Sequence, residues 1–217
     1  MMIRTLCLFT CILTFACFNI AVAQNSKYQF GVEGGPGLCF ALNGSFKTIG
    51  SPTIGGSAGF SFQYQFSRFL ALKSNLFFER KGYEESVTSP ASQGTAYCHF
   101  DYLVLPVLFR VYFDQGNHFF FNTGPYFGCL LSQTYTFETF KTHSFEKSFK
   151  RFDLGIALGF GGSFRLYRNF SMSVELRELF GLFNINKNSD SGNSDNLSYK
   201  TFNNSLTCLI GFHYLLN

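Results

Sequence analysis

Between Tyr102 and Leu131 the chain alternates apolar and other residues with a period of two through a pair of runs, YLVLPVLFRVYF and HFFFNTGPYFGCLL, joined by DQGN. Successive side chains of a strand point to opposite faces, so this period commits both runs to β structure. Leu103, Leu105, Val107, Phe109, Val111 and Phe113 share one face of the first run. Phe119, Phe121, Thr123, Pro125, Phe127, Cys129 and Leu131 share one face of the second. The opposite faces hold Arg110, Tyr112, Asn122, Gly124, Tyr126 and Gly128. One face is apolar to its end and the other is polar, small or charged. Each run is long enough to cross a bilayer, and the polar Asp114–Asn117 segment with its glycine suits a short hairpin turn. The stretch predicts a membrane-spanning β-hairpin.

The pattern recurs in Tyr28–Ala41, Ile54–Phe66, Phe69–Lys81, Arg151–Leu166, Phe170–Leu182 and Asn203–Leu216. With the hairpin these make an all-β fold, an eight-stranded antiparallel up-and-down transmembrane β-barrel in a single domain, 24–217. Connections alternate between long (43–52, 82–100, 132–150, 184–200) and short. Outer-membrane barrels place long loops outside and short turns in the periplasm, which puts both termini on the periplasmic side. Composition agrees: 31 Phe, 21 Gly, no Trp and only 14% charged residues suit a lipid-facing wall better than a soluble surface.

The first 23 residues stand apart. Arg4 gives a positive start, an apolar run extends to Val22, and Ala21-Val22-Ala23 is a small-x-small cleavage site. Residues 1–23 are therefore expected to be a cleaved signal peptide. The 194 residues that remain carry a formal charge of +3, too mild to imply nucleic acid. No apolar run of helix-spanning length follows Ala23, so an exported chain of this kind is either released or built into a barrel. Cys39, Cys98, Cys129 and Cys208 are widely spaced and form no C-x-x-C pair. A zinc or redox site is not expected, nor any cofactor, while a disulfide among the four stays open.

Several short motifs carry a resemblance. They are Gly31-Val32-Glu33-Gly34-Gly35, Glu79-Arg80-Lys81-Gly82-Tyr83, Tyr102-Leu103-Val104-Leu105-Pro106, Gly124-Pro125-Tyr126-Phe127-Gly128, Phe152-Asp153-Leu154-Gly155 and Gly181-Leu182-Phe183-Asn184-Ile185. In their order and spacing the chain resembles the PorT-like family of bacterial outer-membrane β-barrel proteins. The resemblance implies a Gram-negative outer-membrane location. Some members are linked to protein secretion, which makes a secretion system or other envelope proteins the implied partners beside outer-membrane lipid. Where that family usually carries an acidic residue, this chain has Val104.

Alternation points Glu33, Glu79, Asp153 and Glu175 inward with Lys73, Lys81, Arg110, Arg165 and Arg177. An eight-stranded barrel is just wide enough for side chains to fill. One reading is therefore a paired, filled interior in which this charge network is structural. Interior glycines leave room for a second, a narrow gated channel for ions or small solutes. A third is a lipid-modifying enzyme, which needs a Ser–His pair near the outer rim. Of His99, His118, His143 and His213, two fall toward the periplasmic turns, and His143-Ser144 is adjacent only in sequence. The Asn188–Asn196 run (NSDSGNSDN) lacks the acid that closes an EF-hand loop and reads as a solvated loop. The reading preferred from the sequence is a non-enzymatic structural, interaction or secretion-associated role exercised through the long loops or the periplasmic rim.

Overall fold

The structure, a computed structural model, describes residues 27–89, 92–113, 118–137, 140–143, 149–187 and 200–216. The expected signal peptide, the Asp114–Asn117 turn, Ser144 and the Asn188–Asn196 run lie outside the described residues.

Among the described residues nine strands form: β1 Tyr28–Asn43, β2 Thr48–Gln65, β3 Leu70–Ser89, β4 Ser92–Tyr112, β5 Phe119–Phe137, β6 Phe140–His143, β7 Phe152–Tyr167, β8 Phe170–Gly181 and β9 Thr201–Leu216. Eight of them close a ring of antiparallel neighbours, with β4 pairing β5 and β1 pairing β9. Among the described residues the four-residue β6 is an outrigger that pairs with the end of β5. Closure leaves no open edge in the membrane, where an unpaired backbone group would cost several kcal/mol.

The register fixes the tilt. Leu38 pairs with Leu206, Leu206 with Glu178, Glu178 with Leu158, and Leu158 with Thr123. Thr123 continues to Phe109, Leu72, Tyr64 and finally Tyr28. One circuit of the wall thus returns to β1 ten residues below its start. For eight strands that stagger corresponds to a tilt of roughly 40°, so each residue climbs the barrel axis by roughly 2.5 Å.

The outward face is a band of exposed aromatic and aliphatic residues, among them Phe60, Leu76, Phe78, Leu105, Phe109, Phe127, Leu158 and Phe160. Among the described residues Glu178, half-buried between its partners Leu158 and Leu206, is the charged residue set within that band. Arg80 and Asp101, joined by bonds of 2.7 and 3.0 Å, lie just above Phe78 and Leu103 and mark its upper limit.

The segments read as loops at 82–100 and 132–150 differ from expectation. β3 and β4 stay paired from Lys81–Phe100 to Ser89–Ser92, and β5 continues to Phe137. Above the lipid both faces of a strand can be polar, so the alternation fades while the backbone ladder persists. The β3–β4 wall rises roughly 20 Å beyond Lys81, whereas β7 and β8 stop at Phe152 and Gly181. The rim is therefore high on one side and low on the other.

Candidate functional site

Height inside the barrel can be read along β3, whose inward positions are Lys73, Asn75, Phe77, Glu79 and Lys81 in ascending order. Two polar residues, one aromatic and two charged residues follow each other on one strand. β8 repeats the order with Glu175, Arg177 and then Leu179. The lumen is thus layered: a periplasmic-side cluster of charge, an apolar layer, and an upper cluster.

The lower cluster joins Glu33, Glu175, Lys73, Arg110 and Arg177, none more than 5% exposed. Glu175 is its hub. Arg177 Nε donates to its Oε1 at 2.7 Å, while Arg177 Nη2, Lys73 Nζ and Arg110 Nη2 converge on its Oε2 at 2.8, 3.3 and 3.5 Å. Glu33 Oε1 holds Lys73 Nζ at 2.7 Å as a contact ion pair outside hydrogen-bond alignment. Its Oε2 accepts from Asn75 at 3.1 Å and lies 3.7 Å from Arg177. Arg110 also reaches Gln63 and Asn122 at 3.0 and 2.9 Å and lies over the Phe120 ring at 3.7 Å. Strands distant in sequence are tied across the lumen by these contacts.

Interior glycines make room for the cluster. A Cβ on Gly159 would collide with the Glu175 carboxylate, and one on Gly31 with the His213 ring. The glycines therefore mark crowding rather than an open conduit.

The upper cluster is leaner. Lys81 Nζ lies 3.4 Å from Asp153 Oδ2 and stands over the Tyr126 and Tyr102 rings at 4.8 and 5.7 Å. Tyr126 donates to the same Asp153 oxygen at 3.2 Å. Ser205 donates to Glu79 Oε1 at 2.6 Å, and Asn203 to the Tyr102 hydroxyl at 3.2 Å. Glu79 Oε2 and Asp153 Oδ1 have no hydrogen-bond partner. Between the clusters lie Phe77, Val104, Leu179 and Leu209, all buried, and a space of about 10 Å³ that Glu79 and Arg177 line from either side.

Of the residues that alternation points inward, Glu33, Lys73, Glu79, Lys81, Arg110, Asp153, Glu175 and Arg177 are buried in the lumen. Arg165 is not: it is exposed and lines a cavity of about 120 Å³ at the periplasmic mouth with Arg168 and His118. Arg165 occupies an inward position at the very end of β7, where no further layer closes over it. Without it the interior charges balance, four acids against four bases.

One arrangement was not legible in the sequence. Ser173 Oγ lies 2.8 Å from His213 Nε2, and Ser61 Oγ lies 3.4 Å from Nδ1. Glu33 Oε1 approaches at 3.8 Å, but on Nε2, the nitrogen that Ser173 already occupies. A nucleophile–base–acid relay needs the carboxylate on the opposite nitrogen, so this trio has the members of a triad without its order. It also lies toward the periplasmic end, away from the outer rim.

Cys39, Cys98, Cys129 and Cys208 are all free thiols. Cys98, in the extracellular part of the wall, has its thiol pushed up to about 11 by burial. Among the described residues no group of His, Cys, Asp and Glu is placed to hold a metal.

The outer membrane protein beta-barrel domain family matches residues 22–187. No curated protein matches the chain. Among solved structures the chain is similar to Ail, the attachment invasion locus protein of Yersinia pestis, crystallised with the heparin analogue sucrose octasulfate. The identity is 13%, the match covers 87% of this chain and 99% of that one, and the TM-score is 0.44. It is also similar to Neisserial surface protein A (12%, 86% and 97%, TM-score 0.46) and to OprG from Pseudomonas aeruginosa (14%, 88% and 97%, TM-score 0.46).

Proposed function

The chain belongs to the outer membrane protein beta-barrel domain family, and from that premise we propose that this outer-membrane protein is a non-conducting, non-enzymatic scaffold that acts through its rims. The closed lumen carries the reading. Eight charged side chains, none more than 5% exposed, fill the interior on both sides of an apolar layer. To open a path, Phe77, Leu179 and Leu209 would have to move and charges already paired across the lumen would have to separate. The tall β3–β4–β5 wall and the polar periplasmic mouth are the surfaces left for partners. The resemblance of the sequence motifs to those of PorT-like proteins favours a partner in a secretion assembly or elsewhere in the envelope.

Planar-bilayer recording tests the closed lumen. Purified, folded protein is expected to leave the bilayer at its baseline conductance between pH 5 and pH 8. Discrete conductance steps from protein that shifts mobility on boiling would overturn the scaffold reading in favour of a small channel. Deletion of the gene is expected to impair export of secreted proteins while other outer-membrane barrels stay at normal levels. Unchanged export would remove the secretion role.

A further inference from the structure

The barrel wall has a lateral cleft at the upper edge of the lipid band. Pairing of β5 with β7 ends at Cys129–Phe152, and above it Leu130 N donates to Arg151 O at 2.7 Å. β5 continues upward, bonded to β4 on one side, while on the other β6 pairs with it at Tyr135 and Phe137 among the described residues. A cleft of about 340 Å³ opens in that gap, within the size range of sites that take an organic ligand. Its wall is apolar at Leu130, Leu131 and Phe149, and cationic at Arg151 and Lys187. Among its described lining residues there is no carboxylate. Gln133 also lines it, only 5% exposed, with its Oε1 lacking a donor.

We propose that this cleft binds a phosphorylated glycolipid of the outer leaflet. The chemistry has three parts, each matched by residues. Leu131 and Phe152, 53% and 62% exposed, continue the lipid-facing band directly below and would take acyl chain. Arg151 and Lys187 stand just above that band, at the height of head groups, and take phosphate; basic pockets at membrane surfaces recognise anionic head groups in this way. The Gln133 carbonyl calls for a hydroxyl or amide donor beside the anion, which a sugar head group carries and a bare phosphate ion does not. A purely soluble polyanion would leave the apolar wall unused. This site lies above the apolar layer that closes the lumen, with Leu130 and Phe149 packed on the inner cluster, so it goes beyond the scaffold reading and stands or falls separately from it.

The test measures binding of diphosphoryl lipid A, dephosphorylated lipid A and inorganic polyphosphate to the full-length, detergent-folded protein by native mass spectrometry. Wild type is expected to hold diphosphoryl lipid A, and Arg151→Gln/Lys187→Gln to weaken it roughly 30-fold. Gln133→Leu, which leaves the charge intact, is expected to weaken it several-fold. Equal binding of the dephosphorylated lipid overturns the proposal, as does a double variant that binds like wild type. Polyphosphate bound as tightly as the lipid also overturns it, in favour of a soluble anion. Mobility on cold and boiled gels verifies folding. If the double variant does not fold, the wild-type comparison of phosphorylated with dephosphorylated lipid still decides.

Discussion

The two charge clusters of the lumen solve the same problem differently. Below the apolar layer, three cations surround two carboxylates and each carboxylate oxygen faces a charged or amide donor. Above it, Lys81 is the cluster's own cation beside Asp153 and Glu79, Arg177 faces Glu79 only from across the apolar layer, and one oxygen of each acid has no hydrogen-bond partner. Burying a charge is tolerable only with good geometry and complete pairing. The lower cluster comes closer to that condition, since even Glu33 Oε1, which accepts no hydrogen bond, has Lys73 Nζ against it, and so it fixes the register of β1, β3, β4 and β8. The upper cluster meets it in part, and its excess is negative. Similar residue types in one lumen can thus either lock a wall or leave it short of a counter-charge.

The sharpest way to break this contrast is to make the same change in each cluster. Glu175→Gln leaves Lys73, Arg110 and Arg177 around a neutral amide with Glu33 as the cluster's one remaining carboxylate. A guanidinium cannot shed its charge, so no relaxation is open to the two arginines. The variant is expected to lose about 3–5 kcal/mol, read as the urea midpoint of unfolding in lipid vesicles. A loss below about 1 kcal/mol would show that Glu175 is no hub.

Lys81→Met asks what happens when the upper cluster loses its cation. The cost is expected to be about 2–3 kcal/mol at neutral pH, below that of Glu175→Gln. A loss equal to or above that of Glu175→Gln would erase the distinction.

Glu79→Gln completes the pair of carboxylate-to-amide changes. It removes an acid from the side with acid in excess and keeps an oxygen for Ser205 to donate to. The expected cost is less than about 1 kcal/mol, with a gain in stability allowed. A loss equal to that of Glu175→Gln would mean that the orphan oxygen of Glu79 matters more than the charge count.

How much of this could be read from sequence depends on what alternation reports. It reports the face, so the inward set from Glu33 to Arg177 and the outward wall from Phe30 to Tyr214 were legible. It is silent on height, because height depends on the stagger between strands, and no single strand encodes that. For that reason two clusters and the layer between them read as one list of interior charges. Val104, which pairs with Phe77 and is fully buried, belongs to that layer; on paper it was only a missing acid. Arg165 failed for a related reason, since an inward position at the end of a strand opens to solvent. Alternation also needs lipid on one side, so it lost β3 and β4 above Lys81, where Tyr83, Cys98 and Phe100 still point inward. The Ser173–His213–Glu33 trio was invisible because its members come from three different strands.

The Arg80–Asp101 pair calibrates the whole comparison, because it has better geometry than many of the buried contacts and far more water. Two bonds of 2.7 and 3.0 Å hold it, yet the arginine side chain is 54% exposed. The hydrogen bonds from Arg80 hold the Asp101 carboxyl below its usual range. A group with a depressed folded-state pKa contributes stability above its unfolded pKa, and the contribution disappears as pH falls through the folded value. Arg80→Ala should therefore cost at most about 1 kcal/mol at pH 7, less in high salt, and nothing once Asp101 is protonated. The same urea series gives the answer. A cost approaching that of Glu175→Gln would mean that bond geometry, rather than burial and charge balance, sets the energetics of this wall. The contrast between the two lumen clusters would then need another cause.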